Sequence, residues 1–230
     1  MGENVLKFGT YVRVGNAAEA YELLQKNRNN KIAGGGIWMR LGSRRVATAI
    51  DLSACGLDQI EETETEFRIG AMCTLRQLER HVELNALVNH VFEFAVHDIV
   101  GVQLRNTATV GGSIYGRFGF SDVLTLFMAM DCSVELYKGG IISLQEYAER
   151  PYDRDILVRL IVKKEEAEFS ISPCATARLI SRCLPALPPV WKTAAIALRS
   201  VRGRSRLCCL SCRQRRVFLR RNWRRTLPMK

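Results

Sequence analysis

Acidic residues are missing from the last quarter of the sequence. All 23 Asp and Glu lie at or before Glu168 beside 19 Lys and Arg, a formal charge of −4, whereas residues 169–230 hold 15 basic residues and no acid. The net charge of +11 over 230 residues therefore belongs to one segment and does not describe the surface of the rest. No basic N-terminal region leads into an apolar core and a small-residue cleavage site, so no secretory leader is expected. No run of 18 apolar residues occurs, which argues against a membrane span. Cys55, Cys73 and Cys132 stand isolated, without metal-ligand or disulfide spacing. They read as reduced thiols of a cytoplasmic protein, and nothing among them can hold an iron–sulfur cluster. No Ser-His-Asp triad and no internal repeat is visible. A hydrophobic content of 47% with 25% charge fits a globular chain with a real core.

Glycine is present in two informative places. Ala33-Gly34-Gly35-Gly36 and Thr109-Val110-Gly111-Gly112 lie 76 residues apart, each read as following a β-type run. Glycine lets bare backbone N–H groups approach a phosphate, and a diphosphate needs several such donors. Either segment alone is an ordinary turn; the pair suggests one bound dinucleotide. The usual motifs do not fit. From Gly34 the chain reads Gly-Gly-Gly-Ile-Trp-Met, which lacks the third glycine of G-x-G-x-x-G, and no G-x-x-x-x-G-K-[ST] occurs.

Around these segments the pattern is of mixed helix and sheet. Residues 1–53 read as a β-α-β unit, with Asn16 capping a helix, Glu19 reaching back, and Ala17, Ala20, Tyr21 and Leu24 at helical spacing. Val46 to Leu52 returns as a strand. From residue 54, Thr65 to Met72 alternates as a strand, Thr74 and Gln77 form a capping box, and helix is expected through Leu87 to Val100. Ser121 and Asp122 precede the apolar run Val123 to Met130, as at a helix N-terminus. Cys132 to Leu144 reads as a hairpin and Asp155 to Val162 as a last strand.

The stretch from Gly101 to Asp131, with Lys31 to Gly42 before it, resembles the FAD-binding subunit of the molybdenum hydroxylases, the xanthine dehydrogenase and carbon monoxide dehydrogenase group. That family carries an A-G-G-T-like turn and a later Q-I-R-N-x-A-T-x-G-G-N-I string, with Asp ten residues after the second glycine. Gln103, Arg105, Asn106, Ala108, Thr109, Gly111, Gly112, Ile114 and Asp122 keep this pattern. Ser113 stands where the family usually has Asn, and Gly119 where it has Pro. The resemblance implies an α+β, two-subdomain FAD-binding fold of the PCMH (vanillyl-alcohol oxidase-like) type, with residues 1–53 as a small subdomain and 54–168 as a larger one. It further implies that Lys31, Ile32, Ala33, Gly34, Gly35, Gly36, Ile37 and Trp38 wrap the FAD diphosphate together with Thr109, Val110, Gly111, Gly112 and Ser113. Asp122 then meets FAD hydroxyls, Ile99 and Leu157 lie beside the flavin, and Arg105 and Asn106 hold the loop. For Ile99 and Leu157 the plainer reading is core packing.

No catalytic side chain and no metal site is expected, because the flavin performs the electron chemistry. His81, His90 and His97 read as surface-helix residues. The function implied is an FAD-carrying electron-transfer subunit of a xanthine dehydrogenase-like enzyme. It would receive electrons from an iron–sulfur subunit, itself fed by a molybdopterin-binding subunit, and pass them to NAD or another acceptor. The tail, residues 169–230, departs from the family. Arg makes up 13 of its 15 basic residues, and no amphipathic pattern persists. The family's C-terminal domain reads as absent or garbled, as in a shifted reading frame, and the tail is expected to be disordered. Two other classes rank lower: a nucleic-acid-binding protein using the Arg-rich tail, and a cofactor-free scaffold. The first leaves the glycine pair unexplained.

Overall fold

The computed structural model describes residues 6–40, 45–118 and 121–164, and beyond them the backbone of three strands. Strand β1 (Phe8–Arg13), helix α1 (Ala17–Lys26), strand β2 (Lys31–Ala33), helix α2 (Ile37–Arg40) and strand β3 (Val46–Asp51) form the small subdomain. Its sheet is parallel in the order β1-β3-β2, with Ile50 opposite both Val12 and Ile32. Asn16 caps α1 by accepting from the Glu19 N–H at 2.9 Å. The reach-back of Glu19 lands one residue earlier than expected, on the Gly15 N–H at 3.2 Å.

The larger subdomain is built on a five-stranded antiparallel sheet, ordered β4-β5-β8-β6-β7. Its strands are β4 (Ile60–Glu62), β5 (Glu66–Gly70), β6 (Cys132–Leu136), β7 (Gly140–Ser143) and β8 (Leu157–Lys163). Six short helices cover it: α3 (Leu75–Arg80), α4 (Val82–Leu87), α5 (Val91–His97), α6 (Val102–Thr107), α7 (Val110–Tyr115) and α8 (Asp122–Met128), with α9 (Leu144–Glu149) after β7. Thr74 and Gln77 form the expected capping box at α3. The single helix expected through Leu87 to Val100 is interrupted: Asn89 and His90 take left-handed φ values of 51° and 61°, so α4 stops and α5 starts afresh. Phe67, Ile69, Leu78, Leu84, Phe92, Ile114, Leu126, Phe127 and Leu160 fill the core between helices and sheet.

A second cluster joins the two subdomains. Val14, Ile50 and Leu52 by the small sheet and Ala20 and Leu24 of α1 pack with Leu57 and Ile156 from the larger unit. The Arg154 guanidinium reinforces the joint by donating to the carbonyls of Leu24 in the last turn of α1 and of Asn27 and Arg28 just after it. Burial raises the thiol of Cys73 to about 12 and pushes that of Cys132 still higher, so both are protonated and inert.

Beyond Lys164 lie β9 (Ala167–Pro173), β10 (Ala194–Ser200) and β11 (Ser205–Cys208), an antiparallel sheet in the order β11-β10-β9. The expectation of disorder for the tail differs from the structure at these strands. Residues 174–193, 201–204 and 209–230 lie outside the described residues.

Candidate functional site: an apposed pair of glycine segments

The two glycine segments meet across the joint between subdomains. A side chain added to Gly34 would sit 2.8 Å from Thr109 Oγ1 and 3.9 Å from the Gly112 Cα. Gly35 is tighter: a Cβ there would lie 1.8 Å from the Thr107 carbonyl oxygen and 3.0 Å from the Ala108 Cα. The first segment leaves β2 and turns at Gly36, whose φ of 69° is the left-handed value that glycine adopts without cost.

The segments differ in how their N–H groups are used. Those of Gly34, Gly35, Gly36 and Ile37 donate to no acceptor among the described residues. Four consecutive donors in a left-handed turn form a concave backbone surface suited to an anion. In the second segment every donor from Val110 to Ser113 is taken. Val110 N–H bonds the Cys73 carbonyl at 2.8 Å, Gly111 N–H bonds the Ala71 carbonyl at 2.8 Å, Gly112 N–H bonds Thr109 Oγ1 at 3.1 Å, and Ser113 N–H bonds the Thr109 carbonyl at 3.1 Å. Thr109 and Gly112 thus face Gly34 as a wall built on these bonded residues, and Gly111 is glycine because a Cβ would meet the Ala71 carbonyl oxygen at 2.6 Å. The second segment also does not follow a strand. Helix α6 leads into it and Val110 starts α7, with Thr109 contributing a lone bridge to Thr74.

Asp122 opens α8 behind this wall. Ser121 caps the helix, accepting from the Leu124 N–H at 3.2 Å, and its hydroxyl donates to the Ser113 carbonyl at 3.4 Å, which ties α8 to the glycine wall. The Asp122 carboxylate accepts no hydrogen bond from a described residue, and burial alone raises its pKa to about 6. It is a carboxylate kept short of partners. Trp38, at 38% exposure, sets its ring 5.1 Å from that of Phe118, so the pair flanks the contact between the segments.

The other predicted residues sit farther from this arrangement. Lys31, Ile32 and Ala33 are ladder residues of β2, paired with Ala49, Ile50 and Asp51. Ile99 packs against the larger core and Leu157 is buried within it at 5% exposure, as the plainer reading expects. Arg105 holds the loop before it, donating to the carbonyls of His97 at 2.6 Å and Ile99 at 3.3 Å.

Its carboxylate partner, Glu79, was not legible in the sequence, where a Glu on an amphipathic helix is unremarked. Burial opposes charge on Glu79, but hydrogen bonds from Arg76, His97 and Arg105 outweigh it and hold the carboxyl below its usual range. His81, His90 and His97 line one cavity of about 370 Å³ with Arg76, Glu79, Arg80 and Glu93. Each ring is already engaged: His81 accepts from the Leu84 N–H, His90 faces Glu93 and His97 faces Glu79. Among the described residues no group of His, Cys, Asp or Glu is arranged to hold a metal.

The glycine segments meet at the joint of a small parallel sheet and a larger antiparallel one, without a Rossmann turn. Residues 6–164 match the family described as the FAD binding domain in molybdopterin dehydrogenase, and the chain belongs to that family; its cofactor is FAD. The uncharacterized protein YgfM of Escherichia coli K12 is 29% identical over 196 residues, covering 82% of this chain and 69% of that protein. That coverage exceeds what the first 168 residues supply, so the likeness runs past Glu168, farther than the sequence alone suggests. Chicken (Gallus gallus) xanthine dehydrogenase/oxidase is 28% identical over 126 residues, 50% of this chain and 9% of that protein. The fold is similar to that of a Cu,Mo-CO dehydrogenase in its cyanide-inactivated form, with a TM-score of 0.73 at 19% identity over 88% of this chain and 74% of that one. Quinoline 2-oxidoreductase from Pseudomonas putida 86 gives 0.69 at 15% identity, over 88% and 77%. No helix among the described residues is long and apolar enough to cross a membrane.

Proposed function

We propose that this chain is the FAD-carrying electron-transfer subunit of a cytoplasmic molybdenum hydroxylase, one that receives electrons from an iron–sulfur partner and passes them to NAD or another acceptor. The observation that carries the reading is the run of unpartnered N–H groups from Gly34 to Ile37, seated on a wall that a single Cβ would fill. These donors would hold the diphosphate. Bound FAD supplies reversible two-electron and one-electron chemistry, and the protein's part is to fix the cofactor and set its surroundings. The fit extends to Asp122, whose ionised carboxylate accepts from sugar or ribityl hydroxyls. Substrate hydroxylation is assigned to the molybdopterin-binding partner, since the cradle residues include no acid, base or nucleophile aimed at a reacting centre. Purified full-length chain should carry flavin and co-purify from its native cells with an iron–sulfur subunit and a molybdopterin-binding subunit. The lone chain should hydroxylate no purine or aldehyde. Flavin-free protein from FAD-replete cells would overturn the reading.

Asp122 gives this reading a pH signature. Its carboxyl ionises at about 6 in the unliganded protein, and FAD hydroxyls favour the ionised form, so binding releases a proton. FAD affinity is expected to rise with pH up to about 6 and level off above it. The stability of the unliganded protein should move the opposite way, falling as pH climbs from about 4 through 6, because the unfolded chain loses its proton first. Asp122→Asn should abolish both slopes and weaken FAD by about 1–3 kcal/mol at neutral pH. Titrations of wild type and variant that superimpose would leave Asp122 with a helix-terminal role only.

A further inference from the structure

Glu79 on α3 and Arg105 on α6 form an ion pair with both side chains 4% exposed, Arg105 Nε donating to Glu79 Oε2 at 2.9 Å. Glu79 also receives Arg76 Nη1 at 2.9 Å and faces His97 Nδ1 at 3.2 Å. Removing two charges from water is costly, and well-packed apolar side chains often stabilise such a site as well or better. Packing alone does not account for the pair. Its geometry does more, because Arg105 lies in the last turn of α6, and the residues that close this helix are the ones that touch the cradle. The Thr107 carbonyl occupies the space of a Gly35 side chain, and the Ala108 Cα lies just behind it. The Ala108 carbonyl accepts from the Leu75 N–H at 2.9 Å, so α3 grips α6 twice, at Ala108 and through Glu79. A displacement of α6 is therefore a displacement of the surface on which Gly35 rests.

We infer that Glu79 is a positioning residue for the dinucleotide cradle: through Arg105 it fixes α6, and with it the Thr107–Ala108 backbone against which the Gly34–Ile37 donors are seated. This inference rests on the proposed reading of those donors as the FAD diphosphate site. It gives a binding role to a buried residue 26 positions away in sequence from its partner.

The test compares full-length wild type with Glu79→Gln, with the apolar double variant Glu79→Met/Arg105→Met, and with Leu160→Ala, a core truncation in β8 that lowers stability elsewhere. Each is titrated with FAD well below its melting temperature, and the phosphorus NMR signals of the bound diphosphate are recorded. Glu79→Gln and the double variant should bind FAD about tenfold more weakly with displaced phosphorus resonances, while Leu160→Ala keeps the wild-type affinity and resonances. Should Glu79→Gln fail to fold, the double variant, free of an unpaired buried charge, decides the matter. Wild-type affinity and resonances in a folded Glu79 variant, or changes no larger than those of Leu160→Ala, would overturn the inference. Failure of wild type to take up FAD would instead overturn the cradle reading itself.

Discussion

Gly35→Val should yield a folded protein that purifies without flavin. The existing contact leaves no room for any side chain: a Cβ would stand 1.8 Å from a backbone oxygen, and neither partner is the end of a flexible chain. The two subdomains must part by roughly 1 Å or more, and donors that converge on one diphosphate lose their common focus. An effect of about 100-fold on FAD affinity is the expected scale. Secondary structure should persist, because Gly35 lies on the loop between β2 and α2 and outside both hydrophobic clusters. Visible flavin absorbance per protein, with circular dichroism as the control, provides the measurement. A variant with full flavin absorbance would remove the cradle from the binding site.

Gly111→Ala should behave differently, losing stability before it loses ligand. The added methyl meets the Ala71 carbonyl oxygen at 2.6 Å and its Cβ at 2.7 Å, and the Gly111 N–H already bonds that carbonyl. Overpacking at such a junction costs about 2 kcal/mol or more, several degrees of melting temperature in a domain of this size. Measured without FAD, the fall should appear in full. A stable apo-protein with selectively lost flavin would show instead that Gly111 itself contacts the cofactor. The contrast between Gly35 and Gly111 separates donor from wall.

Local rules recovered much of this fold. The caps at Asn16 and Thr74, the strand Val46–Asp51, the hairpin beginning at Cys132 and the strand Leu157–Lys163 follow from side-chain spacing and turn chemistry. The second glycine segment was legible as a site and illegible as a structure. Its flanking helices have six residues each, too short to be stable alone, and they exist because Ala71, Cys73 and Leu75 supply hydrogen bonds from a distant part of the chain. For the same reason the sequence assigns phosphate donors to both segments, although donors from Val110 to Ser113 are already bonded. Asp122 was readable as a helix-start carboxylate, but its lack of partners depends on what surrounds it in space. Glu79 carries no signal at all until Arg105 is placed beside it.

The arginine staple between the subdomains bears on how this unit can be divided. Leu57 and Ile156 sit in the cluster that backs the small sheet, and Arg154 satisfies the end of α1. A cut at residue 53 would therefore follow the chain while splitting one hydrophobic cluster in two and removing the Arg154 donors from the Leu24, Asn27 and Arg28 carbonyls. The small sheet is not a portable module. Its packing is completed by Leu57 and by residues 154–156, so the cleft it helps to form belongs to the two sheets together.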